Sequence, residues 1–262
     1  MVCPIKIDSV RPLVRYVDDR QAVIDTHILT HATLPIDESH RTADTPIAYV
    51  MAELDGAEGF HDEGCGRLIL KSTGSRMEGG FRFGIDEPQR WWPAGLGGQP
   101  LYNLTIRIIV GDEVTDEAKL TLGLASVRRG RVLGEDLPPS LLVNGQICEI
   151  VEVLTVDQID ENQLLPANGE SLLLVRDHYG AELLYQAADM AGIMAIQAVP
   201  IDPQGDPAAQ VRDQVHRLTA HPSLAGYYIG HLGELKQQVA ACLKTLDPTR
   251  TVFDRFPLTV EN

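Results

Sequence analysis

The chain is poor in the features that mark disulfide-stapled, metal-binding and nucleic-acid-binding proteins. Its 262 residues hold four cysteines, Cys3, Cys65, Cys148 and Cys242. They are too far apart for a CxxC pair, so buried thiols are expected and neither a disulfide nor a zinc site. Basic residues are few: 22 Lys and Arg face 37 Asp and Glu, a net charge of −15 spread along both halves. That balance excludes nucleic acid and an anionic membrane surface as partners, since both need a basic patch; solubility accounts for the acidity. No apolar run approaches the roughly 20 residues of a membrane span. The N-terminal Met1-Val2-Cys3-Pro4-Ile5-Lys6-Ile7 has no apolar signal region, so the chain reads as soluble with no export address and leaves its compartment open. The motifs GxSxG, GxxxxGK[ST], HExxH and GxGxxG before a helix are missing. His31, His40 and His61 show no metal spacing. No cofactor and no metal are expected.

What is present is organisation. The length permits one large or two ordinary domains, and 44% apolar content supports a sizeable core. Up to about Arg129 short β segments alternate with turn clusters: Gln21 to Ala32, Ile47 to Leu54, Gly66 to Lys71, Gly80 to Phe83, Leu101 to Val110 and Lys119 to Leu124. Such spacing predicts a β-sandwich. Asp37 to Thr45 and Asp55 to Gly66 read as loops, and Asn103-Leu104-Thr105 is a formal glycosylation sequon. A connector, Gly130 to Ser140, carries Gly134, Pro138 and Pro139.

Beyond it the rhythm is β then α. Ile147 to Val153, Leu172 to Val175, Ile193 to Val199, Ser223 to Gly230 and Thr251 to Phe256 read as five buried strands. Between them Leu183, Leu184, Ala187, Ala188 and Ala191 recur at helical spacing before Gly192, a C′ residue. Asp206 and Pro207 cap and open a second helix with Val211, Val215 and Leu218 on one face. Leu235, Val239, Leu243 and Leu246 mark a third, stopped by Asp247-Pro248. Repeated βα units with apolar strands predict a parallel sheet covered by helices.

Both tryptophans lie in Arg90-Trp91-Trp92-Pro93-Ala94-Gly95-Leu96-Gly97-Gly98-Gln99-Pro100-Leu101-Tyr102-Asn103-Leu104. The glycines and Pro93 supply a reversing loop, and Gly95-Leu96-Gly97-Gly98 is a turn, not a phosphate loop. Paired tryptophans suit a sugar platform; the simpler reading is packing at the end of the sandwich core. The run resembles the WWP-x-G-x-G-x-QPLY-x-L signature of the immunoglobulin-like sandwich domain of family 2 glycoside hydrolases, the β-galactosidases, β-mannosidases and β-glucuronidases. Leu142-Val143-Asn144-Gly145-Gln146 resembles that family's L-x-NG-K lead into its (β/α)₈ barrel. Leu174-Val175-Arg176-Asp177-His178-Tyr179 resembles its N-x-x-R-x-S-H-Y strand. His221-Pro222-Ser223 resembles NHPS before strand four, and Asp247-Pro248-Thr249-Arg250 resembles DPTRP before strand five. Together the matches span about residues 20 to 256.

The resemblance implies an immunoglobulin-like β-sandwich over residues 1–129, a connector over 130–140 and a partial (β/α) TIM-barrel-like segment over 141–262. It also implies retaining glycoside hydrolysis, which needs an acid/base and a nucleophilic carboxylate about 5 to 5.5 Å apart. The family's acid ends strand four in W-S-x-G-N-E. That pattern falls on Tyr227-Tyr228-Ile229-Gly230-His231-Leu232, so the glutamate position holds Leu232, which cannot donate a proton. The family nucleophile ends strand seven, and the sequence stops at Asn262. The expectation is a catalytically inactive, glycoside-hydrolase-like carbohydrate-binding or interaction module. The alternatives are a structural spacer in a larger protein, or an active retaining β-glycosidase whose other strands lie elsewhere. Glu234 is the substitute acid to consider, although Gly233-Glu234-Leu235 reads as a helix's first turn, where a carboxylate complements the dipole. Arg176 and His178 match pocket-lining positions of the family, and with His231 they are the candidate ligand contacts. Arg176 and Asp177 could equally form a solvated charge pair. Tyr227 and Tyr228 should face opposite sides of their strand. Carbohydrate is the expected ligand, and a second copy or an intrachain partner is expected to cover the open sheet edges.

Overall fold

The computed structural model describes residues 5–32, 48–70, 76–130, 140–156, 171–202 and 204–255. The polar run from Asp37 to Thr45 and connector residues 131–139 lie outside them.

Two four-stranded antiparallel sheets form the N-terminal part. One has the order β1 (Ile5–Val17), β2 (Gln21–Ala32), β6 (Arg76–Asp86), β5 (Ile69–Leu70); the other runs β4 (His61–Arg67), β3 (Ala48–Asp55), β7 (Tyr102–Val110), β8 (Glu113–Leu122). Alternation explains the pairing of faces. In β2 the residues Ala22, Ile24, Thr26, Ile28, Thr30 and Ala32 are buried in turn, and in β3 Ala48, Val50, Ala52 and Leu54 are. The inward residues of both sheets, among them Ile24, Ile28, Phe83, Val50, Leu104, Ile106 and Ile108, share one core. Each such aliphatic side chain contributes roughly 1.5–3 kcal/mol when fully buried.

Three features of this part depart from the sequence reading. Strand β1 was not anticipated: Pro12 and two register shifts, at Ile7/Ser9 and Val14/Tyr16, break its alternation, and proline is tolerated because β1 is an edge strand. Asp55 to Gly66 is not a loop throughout. It holds a 3₁₀ turn, Ala57–Gly59, and β4, whose residues are all exposed or half-exposed, so no buried face marked it. The segment Gly66 to Lys71 divides between the end of β4 and the short β5.

The C-terminal part is α/β. Five parallel strands lie in chain order, β12 (Glu152–Val156), β13 (Ser171–Val175), β14 (Met194–Ala198), β15 (Leu224–Tyr228) and β16 (Thr251–Phe253). Helices α1 (Glu182–Ala191), α2 (Pro207–Leu218) and α3 (Lys236–Leu246) cover one face through Leu184, Val211, Val215, Val239 and Leu243. Local chemistry sets their ends. Gly192 takes a left-handed φ of 72° after α1, and the Asp206 carboxylate accepts the Ala208 N–H at the start of α2. Leu183, counted in the α1 repeat from the sequence, is 67% exposed.

The other face of the sheet, with Leu172, Leu174, Met194, Ile196 and Phe253, packs on Trp91 and a three-stranded sheet. That sheet runs β11 (Gln146–Glu149), β10 (Ser140–Val143), β9 (Val127–Arg129). The single strand expected from Ile147 to Val153 is therefore two strands in two sheets, parted at Ile150 and Val151. Asn144 and Gly145, with φ of 49° and 87°, make the two-residue turn of the β10–β11 hairpin. No helix among the described residues is long and apolar enough to cross a membrane.

Candidate functional site

In a parallel sheet all strands end on one edge, and the candidate residues gather there. Strand β13 delivers Arg176 directly after Val175, exposed, with Asp177 exposed and His178 half-buried behind it. Two strands away, roughly 10 Å at the backbone, β15 leads into His231. Its Nε2 lies 3.1 Å from the Val199 carbonyl that follows β14, so that nitrogen carries the donated hydrogen. The ring leans over Tyr228 at 5.6 Å. Tyr227 and Tyr228 do face opposite ways: Tyr227 lies in the helix-side core, and Tyr228 packs on the other. Leu232 is half-buried against the helix-side core, and Glu234 is exposed in the 3₁₀ turn Gly233–Leu235 that opens α3.

A residue the sequence reading missed organises this rim. Gln197 of β14 is fully buried. Its Oε1 accepts the Tyr185 hydroxyl at 2.7 Å and the Gly180 N–H at 3.1 Å, and its Nε2 donates to the His178 carbonyl at 2.7 Å. It thereby pins the loop that carries Arg176 and His178. A lone glutamine inside an apolar strand, Met194-Ala195-Ile196-Gln197-Ala198, was the available signal, because a buried amide must have partners.

The tryptophan, Asn-Gly, His-Pro-Ser and Asp-Pro-Thr-Arg motifs lie at the opposite end. Trp91 is fully buried, and its indole N–H donates to the Asp189 carbonyl at 2.7 Å while Ala94 N–H donates to the Gly192 carbonyl at 2.9 Å. These carbonyls end α1 and lack helical partners of their own. The tryptophan turn is thus a clasp on a helix C-terminus. Trp91 closes the α/β core and not the end of the sandwich core, a correction to the sequence reading, and an enclosed ring offers no platform to a sugar. Trp92 sits beneath the Arg90 guanidinium, 5.0 Å from its ring centroid. Asn144 holds the same turn, donating to the Trp91 carbonyl and accepting the Ser126 N–H, both at 2.8 Å.

His221 and Asp189, each 1% exposed, meet at 2.6 Å through Nδ1 and Oδ2; Glu182 Oε1 lies 3.3 Å from Nε2, and Asp189 Oδ1 accepts the Ser223 N–H at 3.0 Å. Burial alone would push the His221 pKa down, but the hydrogen bonds and charges of Asp189 and Glu182 win and raise it to about 9. The Asp247 carboxylate accepts the Tyr227 hydroxyl at 3.0 Å and the Thr249 hydroxyl at 2.6 Å, and Arg250 Nη2 donates to the His221 carbonyl at 3.0 Å. Among the described residues no group of three His, Cys, Asp or Glu is placed to hold a metal ion.

The fold is that of a β-rich protein that carries a parallel α/β sheet. Residues 21–124 match the model of glycosyl hydrolases family 2. An exo-β-D-glucosaminidase of Amycolatopsis orientalis is 25% identical over 174 residues, 56% of this chain and 17% of the relative. One from Streptomyces avermitilis is 37% identical over 62 residues, 24% of this chain and 7% of the relative. Among solved structures, the exo-chitosanase of A. orientalis superposes with a TM-score of 0.69 at 17% identity, over 96% of this chain and 32% of that one. A family 2 member from Bacteroides cellulosilyticus gives 0.71 at 16%, over 95% and 36%. The protein is family 2 glycoside hydrolase-like, and it spans about a third of the length of these solved structures.

Proposed function

We propose that this chain combines an immunoglobulin-like sandwich (1–129), a connector (130–140) and the first five strands of a family 2 barrel (141–262), and that its rim recognises carbohydrate without hydrolysing it. The observation that carries this reading is Leu232. By the resemblance it falls on the position of the family's acid/base glutamate, and it packs toward the helices, so an aliphatic side chain stands where the carboxylic acid would be. Glu234, the nearest substitute, belongs to the turn that starts α3. Arg176 and His231 present a guanidinium and an imidazole on one edge, groups suited to sugar hydroxyls, with Tyr228 beside them as an apolar surface.

The relatives named exo-β-D-glucosaminidase make β-linked glucosamine the first sugar to test, and a net charge of −15 favours its ammonium group. Aryl β-glycosides, the glucosaminide among them, are expected to show no turnover above background. In calorimetry with glucosamine oligosaccharides, Arg176→Ala should weaken binding about ten-fold, roughly 1.4 kcal/mol. Turnover abolished by Glu234→Gln would refute the inactive reading, and binding indifferent to Arg176→Ala would refute the rim.

One observation favours a second reading. Strands β12 and β16 are the edges of a sheet whose order follows the chain, and a closed barrel has no edges. Further strands, from a longer polypeptide or a second copy, would cover them, and a nucleophile they carry would restore retaining chemistry if an acid lay within about 5 to 5.5 Å. Activity of a longer parent polypeptide, absent from this chain alone, would establish it.

A further inference from the structure

We propose that the cavity where β1, β9 and β16 converge binds a small polyhydroxylated anion of the sugar-phosphate class. The cavity has a volume of about 450 Å³, within the size range of small-molecule sites and far more than one inorganic ion fills. It lies at the N-terminal end of the parallel sheet, where Thr251 begins β16, so it is separate from the Arg176 and His231 rim.

Its charge is the reverse of the protein's. Acidic residues outnumber basic ones 37 to 22 along the chain, yet the lining includes Arg15, Arg128 and Arg250 and no Asp or Glu. The three arginines come from separate parts of the chain, which only the tertiary fold brings together. Arg15 Nε donates to Asp25 at 2.9 Å, but Asp25 is shared with Arg82 at 2.6 Å, so one carboxylate serves two cations. Arg128 is exposed and has no ion pair among the described residues. Arg250 is 6% exposed. Its Nη2 donates to the His221 carbonyl at 3.0 Å and its Nη1 to Thr249 Oγ1 at 3.3 Å, while its Nε is buried with no hydrogen-bond partner. The nearby Asp247 carboxylate is already occupied by the hydroxyls of Tyr227 and Thr249.

A buried guanidinium with an unused donor is costly unless an acceptor reaches it. Arginine forks match phosphate oxygens in pairs, and they act more strongly where protein replaces water. Ser126, Thr249 and Thr251 are also among the lining residues. A ligand with a phosphate for the arginines and hydroxyls for the remainder fits that division.

The test titrates the intact chain at low salt with glucose 6-phosphate, inorganic phosphate and glucose, reading Tm and calorimetric heat. Glucose 6-phosphate should bind saturably and raise Tm, phosphate should bind more weakly, and glucose should do neither. Arg128→Gln should weaken binding roughly ten-fold or more with the ligand-free Tm unchanged, and Arg15→Gln should act in the same direction. Arg176→Ala at the sugar rim should leave it intact, which keeps this site's failure distinct from that of the rim. No saturable response, or binding that survives Arg128→Gln, would overturn the site. Inorganic phosphate binding as tightly as glucose 6-phosphate would overturn its assignment to sugar phosphates.

Discussion

The two ends of the five-stranded sheet have been built to different standards. At the N-terminal end Trp91, Asp189, His221, Asp247 and Arg250 are nearly inaccessible to solvent and joined to one another or to backbone. At the C-terminal end Arg176, Asp177, His231 and Glu234 are exposed, and the His231 bond to Val199 and the Gln197 network help to give that edge its shape. Trp91, His221 and Arg250, which lie in family-like motifs, hold the tryptophan turn, α1 and the start of the sheet together.

The largest test of that contrast is Asp189→Ala. It removes the partner of a buried imidazolium and strands the Ser223 N–H, and breaking such a pair costs roughly 3–5 kcal/mol. Denaturant unfolding should show the whole loss. Should Asp189→Ala and a rim substitution cost the same, the two ends are not differently built and the contrast fails.

A second test uses protons. The His221 pKa is raised to about 9 from an ordinary 6.5, so its contribution is fully present below about pH 6.5 and lost as pH rises through 9, up to about 3 kcal/mol. His216, on α2, shifts the other way. Burial, and then the charges of Arg11 and Arg212, push it down to about 4, so its contribution is present above about pH 6.5 and lost as pH falls through 4. Stability measured by chemical denaturation from pH 4 to 10 should fall on both sides of neutrality. Asp189→Ala should remove most of the alkaline limb and spare the acid one.

Third in size is Gly192→Ala. The residue has a φ of +72°, and a Cβ there would stand 2.5 Å from the Ala94 nitrogen, on the carbonyl side of the tryptophan clasp. Left-handed strain and displacement of the turn should together cost about 2 kcal/mol, read as a lower denaturation midpoint. Unchanged stability would mean that the clasp contributes little.

The local elements were legible because their signals are local. Alternation gave β2 and β7, Gly192 ended α1, and Asp206-Pro207 opened α2. Strand β1 was hidden by Pro12 and its two bulges, β4 by glycine and charge without a buried face, and the break at Ile150 by continuous hydrophobicity across two sheets. Asn144-Gly145 between apolar runs did carry a hairpin signal, and only its likeness to a barrel motif was read. The site was less legible still. Arg176 and His231 could be placed on one edge because parallel strands must end together, but Gln197, Asp189 and the destination of Trp91 depend on contacts between residues far apart in sequence. Periodicity carries no information about such contacts.

The smallest expected effect sharpens the contrast most. Arg176→Ala removes an exposed side chain with no side-chain hydrogen bond among the described residues, so folding stability should change by no more than about 0.5 kcal/mol. A ligand-contact residue and an idle surface arginine share that outcome, and only a sugar titration separates them. Stability must therefore be measured on the same preparation as binding. A ten-fold weaker affinity with an unmoved denaturation midpoint assigns the guanidinium to the ligand. A loss in both measures would mean that Arg176 braces the loop that Gln197 pins, and that the C-terminal edge is held by more than its exposed groups reveal.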